Sequence, residues 1–141
     1  RTQLVRGDQR TAAVTRSALG SVARLQRDTA QARRHLAQAA AELDRVGDPV
    51  AAAAALGELA ALHAEAGRVS AADSLFRAAL ARLEGRQAPE VAWRLHAGLA
   101  AVLRSRGAAE AATRELRLAI TEIERPGRLL VQPERRAAFL A

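Results

Sequence analysis

DPVAAAAALGELAALHAEAGRVSAADSLFRAALARLEGRQ, Asp48 to Gln87, holds two helical patterns joined at a glycine. Asp48 followed by Pro49 marks a helix start: a carboxylate placed to accept from a free N–H, then a ring that has no N–H to leave unpaired. Leu56, Leu59, Leu62 and His63 then recur at three- and four-residue steps, which puts them on one helical face. Gly67 is expected to end that helix, because glycine takes the left-handed conformation at a C-terminus without strain. A second helix is expected from near Ser70, with Asp73 three residues on in a capping arrangement. Its apolar stripe is Ala72, Leu75, Phe76, Ala79, Leu80 and Leu83. So short a turn requires antiparallel helices. The alanines allow close approach, and the larger side chains fill the facing grooves.

The pattern recurs at a step of forty residues in both directions. Leu19, Leu59 and Leu99 coincide, each followed by a small residue (Gly20, Ala60, Ala100), and are expected to occupy like environments. Val22, Leu62 and Val102 come next, then Ala32, Ala72 and Ala112, then Leu36, Phe76 and Leu116, then Leu43, Leu83 and Ile123. Gly67 aligns with Gly107, Gly7 with Gly47, and Pro49 with Pro89. Small, large and turn residues repeating together identify an internal repeat. The expected fold is all-α, an α-solenoid of antiparallel helix pairs. Residues 1–8 read as the tail of a preceding unit, 9–47, 48–87 and 88–126 as three units, and 127–141 as a linker with the start of a further helix. Pro126-Gly127 is expected to break the last helix, and Pro133-Glu134 to begin another.

Composition agrees with helices. Alanine exceeds a quarter of the 141 residues, whereas there are one Trp, two Phe and no Tyr. Helix formers abound, and the β-branched and aromatic residues of sheets are scarce. With no cysteine, disulfides, thiolate metal sites and a cysteine nucleophile are excluded from these residues. No apolar run approaches the roughly 20 residues that span a bilayer. A cytoplasmic setting with no membrane partner is expected. The net charge of +7 is carried by arginine alone, interspersed with fifteen acidic residues. That mixture reads as a solvated surface rather than a nucleic-acid patch, and the lack of interleaved aromatics argues against single-strand binding.

The order of large, small, turn glycine, alanine, aromatic and alanine resembles the tetratricopeptide repeat. Leu59-Ala60, Gly67, Ala72, Phe76 and Ala79 sit at its spacings, as do Leu99-Ala100, Gly107, Ala112, Leu116 and Ala119. The first unit departs from it, with Arg27 in place of the turn glycine and Arg16 where a large apolar residue is usual. The step of forty exceeds the usual 34. The resemblance implies a superhelix that binds other polypeptides, with no catalysis and no cofactor. A narrower resemblance lies at Ala119 to Arg125, Leu129-Leu130, Pro133-Glu134-Arg135-Arg136 and Phe139-Leu140-Ala141, which is similar to the last such repeat before a CHAT (caspase-like) protease domain. It implies a regulatory segment of a larger bacterial protein whose catalytic domain would lie C-terminal to it. A helical arm of a nucleotide-dependent transcription regulator is the alternative reading, and an arginine-rich nucleic-acid-binding repeat is a third.

Register supplies the candidate site residues. The first helices of a tetratricopeptide array line its concave surface, which here points to Val14, Ser17, Ser21 and Arg24, to Ala54, Gly57, Ala61, Ala64 and Glu65, and to Arg94, Ala97, Ala101 and Arg104. The partner-binding residues expected are Ser17, Ser21, Arg24, Glu65, Arg94 and Arg104. An alanine-smooth groove edged by Arg24, Arg94 and Arg104 suits an apolar helix or extended segment with acidic flanks. A downstream domain of the same chain is another expected occupant. His35, His63 and His96 lie on different helices and lack the four-residue pairing of a helical metal site, so packing is their expected role. Trp93 is expected to staple consecutive units. No phosphate-binding glycine loop occurs, and no Ser or Thr has a His and acid beside it in sequence to activate it.

Overall fold

Prolines and left-handed turn residues set the bounds of six helices in the computed structural model, which describes residues 2–130. They are α1 (Thr2–Leu25), α2 (Thr29–Val46), α3 (Pro49–Glu65), α4 (Val69–Arg82), α5 (Pro89–Ser105) and α6 (Ala109–Leu130). Among the described residues there is no strand, and the protein is all-α. The helix bounds recur at the step found in the sequence. α1, α3 and α5 end at Leu25, Glu65 and Ser105, while α2, α4 and α6 begin at Thr29, Val69 and Ala109. No helix among the described residues is long and apolar enough to cross a membrane.

The three turns inside these pairs are alike. Arg27, Gly67 and Gly107 have φ of 62°, 78° and 78°. In each, the next N–H reaches back five residues: Asp28 to the Ala23 carbonyl at 2.9 Å, Arg68 to His63 at 2.8 Å, and Ala108 to Leu103 at 2.9 Å. These bonds satisfy carbonyls that a helix end leaves free. Arg27 therefore takes the conformation of the glycine it replaces, at a cost of roughly 1–2 kcal/mol for an L-residue. Arg27→Gly is expected to stabilise the fold by about 1 kcal/mol, a rise of roughly 4 °C in melting temperature. A melting point that stays put or drops would show that the arginine side chain contributes more than the strain removes.

Three expectations are corrected here. Gly7 does not separate two units, because α1 runs through it. Gly47-Asp48 is followed by Pro49, and the Asp48 carboxylate accepts from the Ala51 N–H at 3.1 Å. Gly7-Asp8 is followed by Gln9, which can continue a helix, so nothing stops it there. Nor does Pro126 end α6, which continues to Leu130. A proline forfeits the one bond to the carbonyl four residues back, and a helix end exposed to water can leave that carbonyl solvated. Asp73 does not cap α4. It is buried and binds Arg77 at 2.5 Å and Arg106 at 2.8 Å, tying α4 to the turn after α5. The predicted helix start at Pro133-Glu134, with Phe139 and Leu140, lies outside the described residues.

Each helix packs on its chain neighbours, and α3 also packs on α1 and α5. Leu36, Leu43, Leu95 and Leu99 are fully buried, with Ala39, Ala52, Ala72 and Ala79 filling the crossings between them. Three mid-helix glycines, each costing about 1 kcal/mol relative to alanine, lie where side chains press in. A Cβ on Gly20 would lie 2.7 Å from Leu36 Cγ, one on Gly57 2.6 Å from Leu95 Cδ2, and one on Gly98 2.5 Å from Phe76 Cε1. The last pair has a logic of its own. Leu36 and Phe76 hold the same place in successive units, and the next helix carries Glu58 after the leucine but Gly98 after the larger phenylalanine.

Leu19, Leu59 and Leu99 do not share one environment. Leu59 and Leu99 are 7% and 1% exposed, whereas Leu19 is 51% exposed. Leu59 lies in one buried cluster with Ala32 and Leu36 of the preceding α2. Among the described residues α1 has no preceding helix, so its equivalent face stays open.

Candidate binding groove

Side-by-side packing of α1, α3 and α5 leaves a cleft of about 310 Å³ along their shared surface. α1 contributes Ser17, Ser21 and Arg24, and α3 contributes Ala54, Gly57, Glu58 and Ala61. α5 contributes Val91, Arg94, Leu95 and Gly98, with Phe76 of α4 completing the lining. The cleft exists because the middle helix is small-sided there. Larger residues at Ala54, Gly57 and Ala61 would fill it.

Four of the six residues expected to bind a partner, Ser17, Ser21, Arg24 and Arg94, come together in this cleft. Glu65 and Arg104 are exposed and do not line it. Arg24 also differs from expectation, since it is not an open cation. Its Nη1 donates to Glu58 Oε2 at 3.3 Å and its Nη2 donates to Glu65 Oε1, which joins α1 to α3. The Glu65 hydrogen bond, with the charges of Glu65 and Glu58, raises the Arg24 pKa above its ordinary value against an opposing desolvation. Two carboxylates on one guanidinium leave that side of the cleft net negative. Arg94 differs: it is exposed, its guanidinium carbon lies 5.6 Å from the Trp93 ring centroid, and it has no carboxylate partner among the described residues. A stack of that kind contributes about 0.5–1 kcal/mol at an exposed site. Trp93 is half-buried.

Sequence reasoning missed Glu58, Phe76, Val91, Leu95 and Gly98 as lining residues. The signal was present in the two mid-helix glycines, each a sacrifice of helix stability that close packing explains.

The histidines are apart. His96 Nδ1 lies 2.6 Å from Glu115 Oε2 and joins α5 to α6. His63 Nδ1 is buried with no hydrogen-bond partner. Burial first, then the charges of Arg68 and Arg33, lowers its pKa below 6.5. Below pH 6.5 the unfolded chain then binds more protons at this residue than the folded one. The His63 contribution to stability is therefore full above that pH and lost as pH falls toward its lowered pKa. Urea denaturation across that window is expected to show stability falling with acid, with a shallower fall for His63→Gln; equal slopes would exclude His63 as the cause. Among the described residues no three His, Asp or Glu side chains converge as metal ligands.

Compared with protein-family models and with curated proteins, the sequence matches none.

Proposed function

We propose that this chain is a protein-binding array of the tetratricopeptide type, in which antiparallel helix pairs stack as a solenoid and α1, α3 and α5 form its inner wall. One observation carries the reading. Seven of the thirteen residues that the resemblance places on the inner wall, Ser17, Ser21, Arg24, Ala54, Gly57, Ala61 and Arg94, line a single cleft. About 310 Å³ suits one large apolar side chain, leucine or aromatic, presented by a helix or an extended segment. The charges then orient the ligand. Arg94, with Arg104 further along α5, favours acidic residues on the α5 side, whereas Glu58 and Glu65 around Arg24 disfavour them on the α1 side. The likeness of residues 119–141 to a segment preceding a CHAT protease supports a regulatory role within a larger bacterial protein.

Selection of displayed random peptides on the purified chain tests this. Enriched peptides are expected to share one large apolar residue with acidic neighbours on one side. Ala61→Trp, which fills the cleft, and Arg94→Glu are each expected to weaken the selected peptides about tenfold or more. Failure to enrich any peptide, or binders indifferent to Ala61→Trp, would overturn the reading.

A further inference from the structure

Where α2 begins and α3 ends, a pocket of about 190 Å³ opens between them, and it shares no lining residue with the cleft. Thr29 and Arg33 of α2, His63 and Glu65 of α3, and Arg68 of the turn line it. Its charges are unbalanced. Neither the Arg33 nor the Arg68 guanidinium has a hydrogen-bond or ion-pair partner among the described residues. Glu65, the carboxylate of the lining, is already bonded to Arg24 of α1. His63 Nδ1 is buried with no partner. One unit further on, the same corner is closed. Forty residues after Arg33 stands Asp73, which is buried and accepts from Arg106 at 2.8 Å. Arg106 also donates to Ser70 at 2.7 Å. Ala66, Leu103 and Ala108 complete the comparison: Arg106 stands forty residues after Ala66, and Leu103 and Ala108 stand forty after His63 and Arg68. There the chain supplies both cation and anion. In the first corner, the position that would hold the carboxylate holds a second arginine.

We propose that this corner binds a phosphate-class dianion, held between Arg33 and Arg68 with the Thr29 hydroxyl donating to it. Guanidinium groups match phosphate oxygens in paired, charge-assisted hydrogen bonds, and two of them balance a dianion where one carboxylate would leave a charge over. A free phosphate ion and a small phosphate monoester present the same group. The site does not depend on what the groove binds. His63 reports on it. Arg33 from α2, Arg68 from the turn, and Glu65 of its own helix, held by Arg24 of α1, are the charges around that ring. After burial, the two arginines are what lower the His63 pKa. A dianion between them offsets their charge, so binding raises that pKa and draws a proton onto the ring.

Calorimetric titration at constant ionic strength, with inorganic phosphate and glycerol 3-phosphate as separate ligands, provides the test. One ion is expected to bind per chain; tighter binding of the ester would identify a monoester as the ligand, and equal binding the free ion. Arg33→Gln and Arg68→Gln, both at exposed positions, are each expected to weaken binding about tenfold with unchanged helicity by circular dichroism. Arg114→Gln, which removes an exposed arginine of α6 that also lacks an ion pair, is expected to leave binding unchanged. Arg33→Asp combined with Ala66→Arg copies the closed corner and is expected to abolish binding. A second readout needs no variant. Sulfate stays a dianion as His63 titrates, and in nuclear magnetic resonance it is expected to raise the His63 pKa. The proposal is overturned if neither phosphate ligand binds at about 10 mM. It is equally overturned if Arg114→Gln weakens binding as much as Arg33→Gln, which would indicate diffuse attraction to a basic surface, or if sulfate leaves the His63 pKa where it was.

Discussion

Replacing Phe76 with alanine is expected to cost the fold about 3–5 kcal/mol, a large share of the roughly 5–15 kcal/mol that holds a domain together. The ring is nearly fully buried and presses on Gly98 at the foot of the cleft. Helices on both sides are held by other contacts, so the space left behind cannot simply close. Urea denaturation measures the loss. Gly98→Ala provides the complementary test. Its gain in helix propensity of about 1 kcal/mol is set against overpacking of about 1–3 kcal/mol, since the new Cβ would meet the Phe76 ring. In a Phe76→Leu background the ring is gone and the alanine is expected to be tolerated. The two changes should therefore couple by about 1 kcal/mol or more. Additive effects would mean that the ring can move aside at no cost, and that the pairing of phenylalanine with glycine between units is coincidental.

Leu36→Ala is the second large effect, about 2–5 kcal/mol. Leu36 is fully buried in a cluster with Ala23, Ala32, Leu59 and Leu62, and it fits against Gly20. The loss is expected to be felt locally. Among the described residues α1 packs mainly on α2 and α3, and its further ties, from Arg10 to Asp48, from Arg16 to Glu42 and from Arg24 to Glu58 and Glu65, are partly exposed ion pairs worth about 1 kcal/mol or less each. Amide exchange should therefore accelerate in α1 and α2 first, while α5 and α6 keep their protection, as nearest-neighbour packing implies. Uniform acceleration along the chain would show instead that the helices unfold as one cooperative unit.

Much of the fold was legible because its punctuation repeats. Gly67, Gly107, Pro49 and Pro89 announce helix ends and starts by their backbone chemistry alone, and the structure turns at each of them. Arg27 was harder to read, since the identity of a residue does not report the φ its neighbours impose. Gly7 misled for the opposite reason. A glycine ends a helix only when the residues after it help to stop the helix, and Gln9 does not stand in for Pro49. The cleft was partly visible, because the register of small residues on first helices locates its wall. The pairing of Arg24 was not, since its two carboxylates lie 34 and 41 residues away, two helices further on. The exposure of Leu19 was hidden too, because a repeat tells what a position is suited to bury but not whether a neighbour is present to bury it.

The setting of Trp93 has a practical consequence. The chain contains one tryptophan and no tyrosine, so its near-ultraviolet emission comes essentially from a single indole near the start of α5. Arg94, at the rim of the cleft, lies over that indole. A ligand that draws the guanidinium away changes the polarity felt by the only strong fluorophore in the molecule. The unlabelled protein thus carries its own optical readout for titrating whatever enters the cleft beside α5.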